Sequence, residues 1–369
     1  MKLHPAPRRA ACLVIAALWT CQVAAEPAVR VFVSGTDGYH TYRIPALVIS
    51  KAGTLLAFCE GRKTDRADHG DVDLLLKRSI DGGRTWGPQQ LVHEEGGAAK
   101  VTIGNACPVV DSSTGRVWLA FTRENRAVFL THSDDDGKSW ARPTEISSSA
   151  MDPAWTWVAT GPGNGIQMLQ GKHRGRLVLP CDHRVGVHDA RNSRGHSHTL
   201  YSDDHGKTWQ RGKPTDAGMN ECAIAERSDG KLMLNMRSYR GKNQRAVALS
   251  EDGGATWGAA LDAPTLVEPV CQASLIRIAP HQPGDKRLLF SNPASTRRDR
   301  LTVRRSDDDG ASWSALRVLH EGPAAYSNLA MLVDGTAVCL YECGVKDAYE
   351  TITLSRFSPD SLKPPPKRE

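Results

Sequence analysis

Residues 202–209 read SDDHGKTW, and the same eight-residue pattern returns as SIDGGRTW from Ser79, SDDDGKSW from Ser133, SEDGGATW from Ser250 and SDDDGASW from Ser306. All five satisfy Ser-x-Asp-x-Gly-x-Ser/Thr-Trp, and successive copies begin 54, 69, 48 and 56 residues apart. Recurrence at this spacing marks an internal structural repeat. Each copy has the chemistry of a turn: Asp and Ser side chains bond nearby backbone N–H groups, Gly accepts positive φ, and the Trp pins the turn by packing beneath it. The Asp-x-Asp-x-Gly strings also suggest calcium loops, but no copy carries a distal bidentate Glu at EF-hand spacing. A structural turn is the better reading, so no metal is expected and the chemistry must lie elsewhere.

Between the copies run short apolar stretches such as RIPALVIS, TLLAFCE, RVWLAFT, RLVLP, KLMLNMR, RLLFSN and TAVCLYE, punctuated by KAG, SDG and DG. They read as strands, with almost nothing long enough for a periodic helix. Strands with a turn motif every 50 to 70 residues predict an all-β, six-bladed β-propeller of four-stranded sheets, one blade lacking a recognisable box. At 40% hydrophobic residues the 369-residue chain has ample material for its core.

Lys2, Arg8 and Arg9 precede the apolar run ACLVIAALW (11–19), and Val23-Ala24-Ala25 offers small residues before Glu26. This predicts a signal peptide over 1–25, with secretion or periplasmic location after cleavage near Ala25. The run is too short for a membrane span, and no later run is long enough, so no transmembrane segment is expected in the mature chain. Removing 1–25 lowers the formal charge from +6 to +3, too mild for a nucleic-acid partner. Seven cysteines remain, an odd number without a CxxC pair, mostly inside apolar runs, and they read as buried small hydrophobes. The folded domain is expected over 26–358, followed by a Pro-rich charged tail over 359–369.

Three expected hairpins gather polar groups at their open ends. YRIPALVISKAGTLLAFCEGR turns near KAG and sets Arg43 beside Glu60 and Arg62; NECAIAERSDGKLMLNMR brings Glu221 to Arg237; YSNLAMLVDGTAVCLYE brings Tyr326 to Glu342. One such end would be an ordinary solvated strand edge. Three, arranged radially, converge on a site lined by arginines, carboxylates and a tyrosine.

YRIP, EGR, GNACPVVD, NECAIAE, LNMR, SNPASTRRDRLTVR, AYSNL and CLYE together, in this order over residues 30–357, resemble the secreted bacterial-type exo-α-sialidases of the neuraminidase superfamily, whose repeats are Asp-boxes. The box alone is only moderately specific, since it also occurs on non-enzymatic propellers; the ordered set is highly specific. The resemblance implies a cofactor-independent retaining glycosidase acting on sialylated glycans, glycoproteins or glycolipids. It matches Arg43, Arg237 and Arg298 to the arginines that grip the substrate carboxylate, a task suited to a planar, permanently charged fork. Arg297 and Arg300 crowd the third position. Tyr326 matches the nucleophile and Glu221 its base. A phenol attacks neutral where a carboxylate would be repelled by the substrate's own, but with a pKa near 10 it needs a base. Family spacing favours Asp68 over Asp65 as acid/base, both being loop residues. Glu342 matches the residue that holds the first arginine, and Arg62 a contact to a ring hydroxyl. Asn105 fits either a pocket or a turn role, and the His-rich stretch 188–198 reads as loop without metal spacing. Rival expectations are a trans-sialidase or related nonulosonic-acid glycosidase, or a non-catalytic Asp-box propeller that binds glycans. The last should lack Tyr326, Glu221 or an arginine, and none is missing.

Overall fold

A computed structural model of the chain describes Met1 and residues 26–96, 99–186 and 194–362. The expected signal peptide over 1–25 and the tail from 363 onward lie outside the described residues; Pro359–Ser361 form a short 3-10 turn.

The regular structure of the described residues is almost wholly strand, one single-turn α-helix apart. After Val29–Val33 (β1), a four-stranded sheet comprises Thr41–Ile49 (β2), Leu55–Arg62 (β3), Val72–Ser79 (β4) and Gln90–His93 (β5). A second holds Ile103–Val110 (β6), Val117–Arg123 (β7), Ala127–Ser133 (β8) and Thr144–Glu145 (β9). Ser147–Ala150 (α1) leads into five strands: Trp155–Thr160 (β10), Ile166–Gln167 (β11), Leu177–Val185 (β12), Gly195–Ser202 (β13) and Gln210–Arg211 (β14). Met219–Glu226 (β15), Leu232–Ser238 (β16), Gln244–Ser250 (β17) and Leu261–Val267 (β18) make the next four-stranded sheet. The remainder is Ser274–Arg277 (β19), Leu288–Pro293 (β20), Asp299–Ser306 (β21), Ala315–Met331 (β22), Ala337–Cys343 (β23) and Thr351–Phe357 (β24). The 17-residue β22 pairs with β21 along its first half and β23 along its second, so β19–β24 and β1 form one continuous sheet.

Strands such as β2 and β3 are buried on both faces, and the period-two alternation of side chains divides between two neighbours. In β2 and β3, Leu47, Leu55, Ala57 and Cys59 enter the cluster shared with β23 and β24, while Ala46, Val48, Leu56 and Phe58 enter the one shared with β6 and β7. The core is therefore a series of slabs between sheets, and each fully buried Leu or Phe in them contributes roughly 1.5–3 kcal/mol. All seven cysteines from Cys59 to Cys343 are buried and free within these layers.

The five boxes join the third strand of a sheet to its fourth: β4 to β5, β8 to β9, β13 to β14, β17 to β18 and β21 to β22. In each, the Gly N–H donates to the Ser Oγ at 2.8 Å. The Asp Oδ1 accepts the Ser/Thr backbone N–H at 2.8–3.0 Å. Its Oδ2 accepts that residue's hydroxyl at 2.5–2.7 Å. The constrained positions are thus those whose atoms close the turn. Trp86, Trp140, Trp209, Trp257 and Trp313 each pack against a different slab. No box follows β24 because its outer partner is β1, from the other end of the described chain, and no turn is needed there.

Candidate active site

The inner strands break register at one end. β2 bulges between Arg43 and Ala46, β6 between Gly104 and Cys107, β15 between Met219 and Cys222, and β22 between Ala324 and Ser327. A bulge re-aims side chains out of the ladder. These four turn Arg43, Asn105, Glu221 and Tyr326 into a cavity of about 330 Å³, which Arg62, Asp68, Arg237 and Arg298 also line. Ile44 at φ 60° and Asn105 at φ 59° carry the strain of two bulges. A left-handed β-branched residue is a genuine outlier, held only where its surroundings over-determine it.

Glu342, fully buried, is what fixes Ile44. Its Oε1 accepts Arg43 Nε and the Ile44 N–H, both at 2.8 Å, and its Oε2 accepts the Tyr326 N–H at 3.0 Å. One carboxylate therefore sets the arginine and the tyrosine in fixed relation. Burial works against a charged Arg43, but Glu342, Tyr349 and Tyr326 together outweigh it and hold the guanidinium charged.

Tyr326 is the focus of the cavity. Its hydroxyl donates to Glu221 Oε1 and accepts from Arg237 Nη1 at 3.2 Å. Arg237 Nη1 also donates to Glu221 Oε2 at 2.7 Å. Arg43 and Arg298 flank the phenol ring at 5.2 and 5.5 Å from its centroid. Burial, and after it the Glu221 carboxylate, push the phenol well above its ordinary value, so the proton stays on oxygen until a base removes it. Glu221 already sits at that proton. Three guanidiniums around one phenol form a receptor for a planar anion.

Arg298, of the three clustered arginines, is the one that lines the cavity; Arg297 is exposed and pairs with Asp299, and Arg300 faces Glu321. Asp68 rather than Asp65 reaches the site. Asp65 closes an exposed turn by accepting the Ala67 N–H at 2.7 Å. Asp68 Oδ1 accepts Arg62 Nη1 at 2.9 Å and lies 3.6 Å from Arg43 Nη1. Arg62 in turn binds Glu60 Oε2 at 2.8 Å and the Arg66 carbonyl at 2.6 Å. In this state Arg62 therefore organises the Asp68 loop. Partial desolvation favours a neutral Asp68, weakly because its side chain is 77% exposed, and Arg62 and Arg43 together keep its pKa below the ordinary carboxylate range. Asn105 lines the cavity, and in place of a turn it sits at the bulge of β6, bonding Glu60 Oε1 through its N–H and Thr122 Oγ1 through Nδ2, each at 3.0 Å.

The loop expected over 188–198 is corrected in part. His196 and His198 lie on β13, and His198 Nδ1 meets His183 Nδ1 of β12 at 3.0 Å; residues 187–193 lie outside the described residues. Strand pairing Cys181↔His198 and His183↔His196 absorbs this polar-looking stretch into a sheet, where Trp155 stacks on His183 at 3.5 Å.

Sequence reasoning overlooked Tyr239 and Tyr349. Tyr239, the first residue past β16, accepts from Arg237 Nη2 at 2.6 Å, and its place two residues beyond Arg237 was an available signal. Tyr349 accepts Arg298 Nη1 at 2.7 Å and stacks under Arg43 at 3.8 Å; nothing local in DAYET marks it. Asp182 was overlooked too. It is fully buried beside Asn220, and burial, then Glu221, push its carboxyl well above the usual range.

The BNR repeat-like domain family matches residues 53–339. A sialidase of Micromonospora viridifaciens is 35% identical over 88% of this chain and 53% of its own length. A sialidase of Bacteroides fragilis is 35% identical over 85% of this chain and 62% of its own. The chain thus spans between half and two thirds of these relatives. Among solved structures, the Hadza microbial sialidase Hz136 superposes with a TM-score of 0.81 at 31% identity, covering 91% of this chain and 69% of that one.

Proposed function

This chain belongs to the BNR-repeat sialidases of the neuraminidase superfamily, and on that premise we propose that it is a retaining exo-α-sialidase releasing terminal sialic acids through a covalent tyrosyl intermediate. The observation that carries the reading is the Tyr326 hydroxyl, bonded to Glu221 and encircled by Arg43, Arg237 and Arg298. The substrate carboxylate pairs with the three guanidiniums, each charge-assisted bond contributing on the order of 1.5–3 kcal/mol. That places the anomeric carbon over the phenol. Tyr326 oxygen bonds to it as Glu221 takes the phenolic proton, the bond to the leaving oxygen breaks, and Asp68 gives that oxygen a proton. In the second half, Asp68 takes a proton from water, the water oxygen displaces Tyr326, and Glu221 returns the proton to the phenolate.

Asp68 must be protonated to begin, yet in the free site Arg62 and Arg43 hold it ionised. An arriving carboxylate competes for Arg43 and adds negative charge nearby. Both changes raise the proton affinity of Asp68, so the acid is armed by the substrate it serves.

We also read the sheets as a six-bladed propeller, with the seven-stranded sheet divided at β22, and residues 26–358 as its catalytic domain. In support, inner strands touch in a closed circuit: β2 beside β6 and β22, β11 beside β6 and β15, and β19 beside β15 and β22. A second cavity at the far ends of the same strands is lined by Leu47, Val109, Ile166, Ile224, Ile276 and Leu329. Export after cleavage near Ala25 completes the proposal. Among the described residues no helix is long and apolar enough to cross a membrane.

Proton NMR during hydrolysis of sialyl-lactose tests the reaction. Free sialic acid should appear first as the α-anomer; initial β-anomer would indicate inversion, and an anhydro or transferred product would replace hydrolysis with transfer.

A further inference from the structure

Around the circuit of inner strands, β11, which with β10 runs along the inner edge of β12, lies three steps from β22 in either direction, so this sheet builds the cavity wall facing Tyr326. There Trp157 of β10 pairs with Arg184 of β12, and both side chains line the cavity beside Asn125 and Asn220. The Arg184 guanidinium lies over the Trp157 indole at 4.5 Å. Its Nε is buried and meets no hydrogen-bond partner among the described residues. Trp157 supplies a flat support, and the residues next to it are amides.

The chemistry of the substrate determines what meets this wall. In a sialoside, one ring carbon bears both the carboxylate and the glycosidic oxygen. With that carbon held at Tyr326 and the arginines, the substituents on the other side of the ring extend toward β12. These are the acylamino group and the polyhydroxylated chain, and both present oxygen acceptors. A guanidinium offers only donors, in a fixed fork. Resting on the sialidase reading, we propose that Arg184, propped on Trp157, is a specificity-determining residue that donates hydrogen bonds to an oxygen of sialic acid remote from its carboxylate.

Arg184→Met keeps an unbranched stem over Trp157 and removes every donor. KM and kcat are measured for wild type and variant on three aryl sialosides: the intact N-acetyl sugar, one with the exocyclic chain truncated, and one with hydroxyl in place of the acylamino group. On the intact sugar, KM should rise about tenfold or more with kcat changed less than about threefold, the mark of lost uniform binding. The rise should shrink to under about threefold on whichever altered sugar lacks the bonded oxygen, identifying that oxygen as acyl or chain. A merely structural Arg184 would raise KM equally on all three, and that result, or no rise at all, overturns the proposal. Calorimetric titration with free sialic acid separates the two readings. A wild type that binds the sugar tightly, and the variant about tenfold less so, without any hydrolysis would sink the enzymatic reading alone, whereas absence of binding by wild type would sink both.

Discussion

Arg43 and Glu342, 299 residues apart in sequence, meet in the core with Arg43 Nε donating to Glu342 Oε1 over 2.8 Å, and the other oxygen of the same carboxylate takes the Tyr326 N–H. The carboxylate has no exposure to water. Removing one partner of a buried pair leaves the other charged and unsatisfied, at a cost of about 3–5 kcal/mol. Glu342→Ala should therefore lower unfolding free energy by that order in urea titration and reduce kcat/KM on an aryl sialoside as Arg43 and Tyr326 lose their common anchor. Unchanged stability would mean that the carboxylate does not hold this corner.

Asp68→Ala should separate substrates by leaving group. Sialyl-lactose releases a weakly acidic alcohol that needs a proton as the bond breaks, whereas an aryl sialoside expels a stabilised phenolate. General acid catalysis typically contributes about 10²–10⁴-fold, so the variant should lose a factor of that order on sialyl-lactose and much less on the aryl substrate. Asp65→Ala, altering only an exposed turn, should show no such split. Selective loss following Asp65 instead would transfer the acid to that residue.

The boxes give a prediction about acid stability. Hydrogen bonds led by the Ser139 hydroxyl depress the Asp135 pKa to about 2, against an unfolded value near 3.9. A depressed folded-state pKa stabilises above the unfolded value and loses that contribution as pH falls through the folded one. Asp135→Asn should thus melt lower than wild type at neutral pH, by on the order of 1 kcal/mol in stability. The gap should close between about pH 4 and pH 2. A gap independent of pH would assign the effect to shape rather than charge.

Because the box aspartates spend both oxygens on turn N–H and hydroxyl groups, activity should survive exhaustive EDTA treatment. Loss restored by calcium would contradict the structural reading of the boxes.

What was legible in the sequence was mostly what is local or follows from hairpin arithmetic. The box atoms lie within eight residues, so their turn chemistry could be read directly. Glu221 and Arg237 sit across one hairpin, and counting back from the turn at residues 227–231 aligns them. The bulges that re-aim these residues left no clear mark, because Ile44 adopts positive φ under the pull of Glu342 from a distant strand. Tyr349 under Arg43, Trp157 beneath Arg184 and Arg62 against Asp68 depend on side-chain placement that only folded geometry settles. The histidines of β13 were misplaced as loop because a polar composition conceals a strand buried between two others.

The central claim is that the Tyr326 oxygen becomes bonded to the sugar, and trapping that bond is the most direct test. A sialic acid fluorinated at the anomeric carbon and its neighbour loses the anomeric fluoride on attack, while the second fluorine slows the release that follows. The enzyme should be inactivated with a mass increase of one defluorinated sugar, and peptide fragmentation should place that mass on Tyr326. Tyr326→Phe should acquire no adduct while keeping wild-type melting behaviour. An adduct on Glu221 or Asp68, or normal sialoside turnover by Tyr326→Phe, would contradict the account.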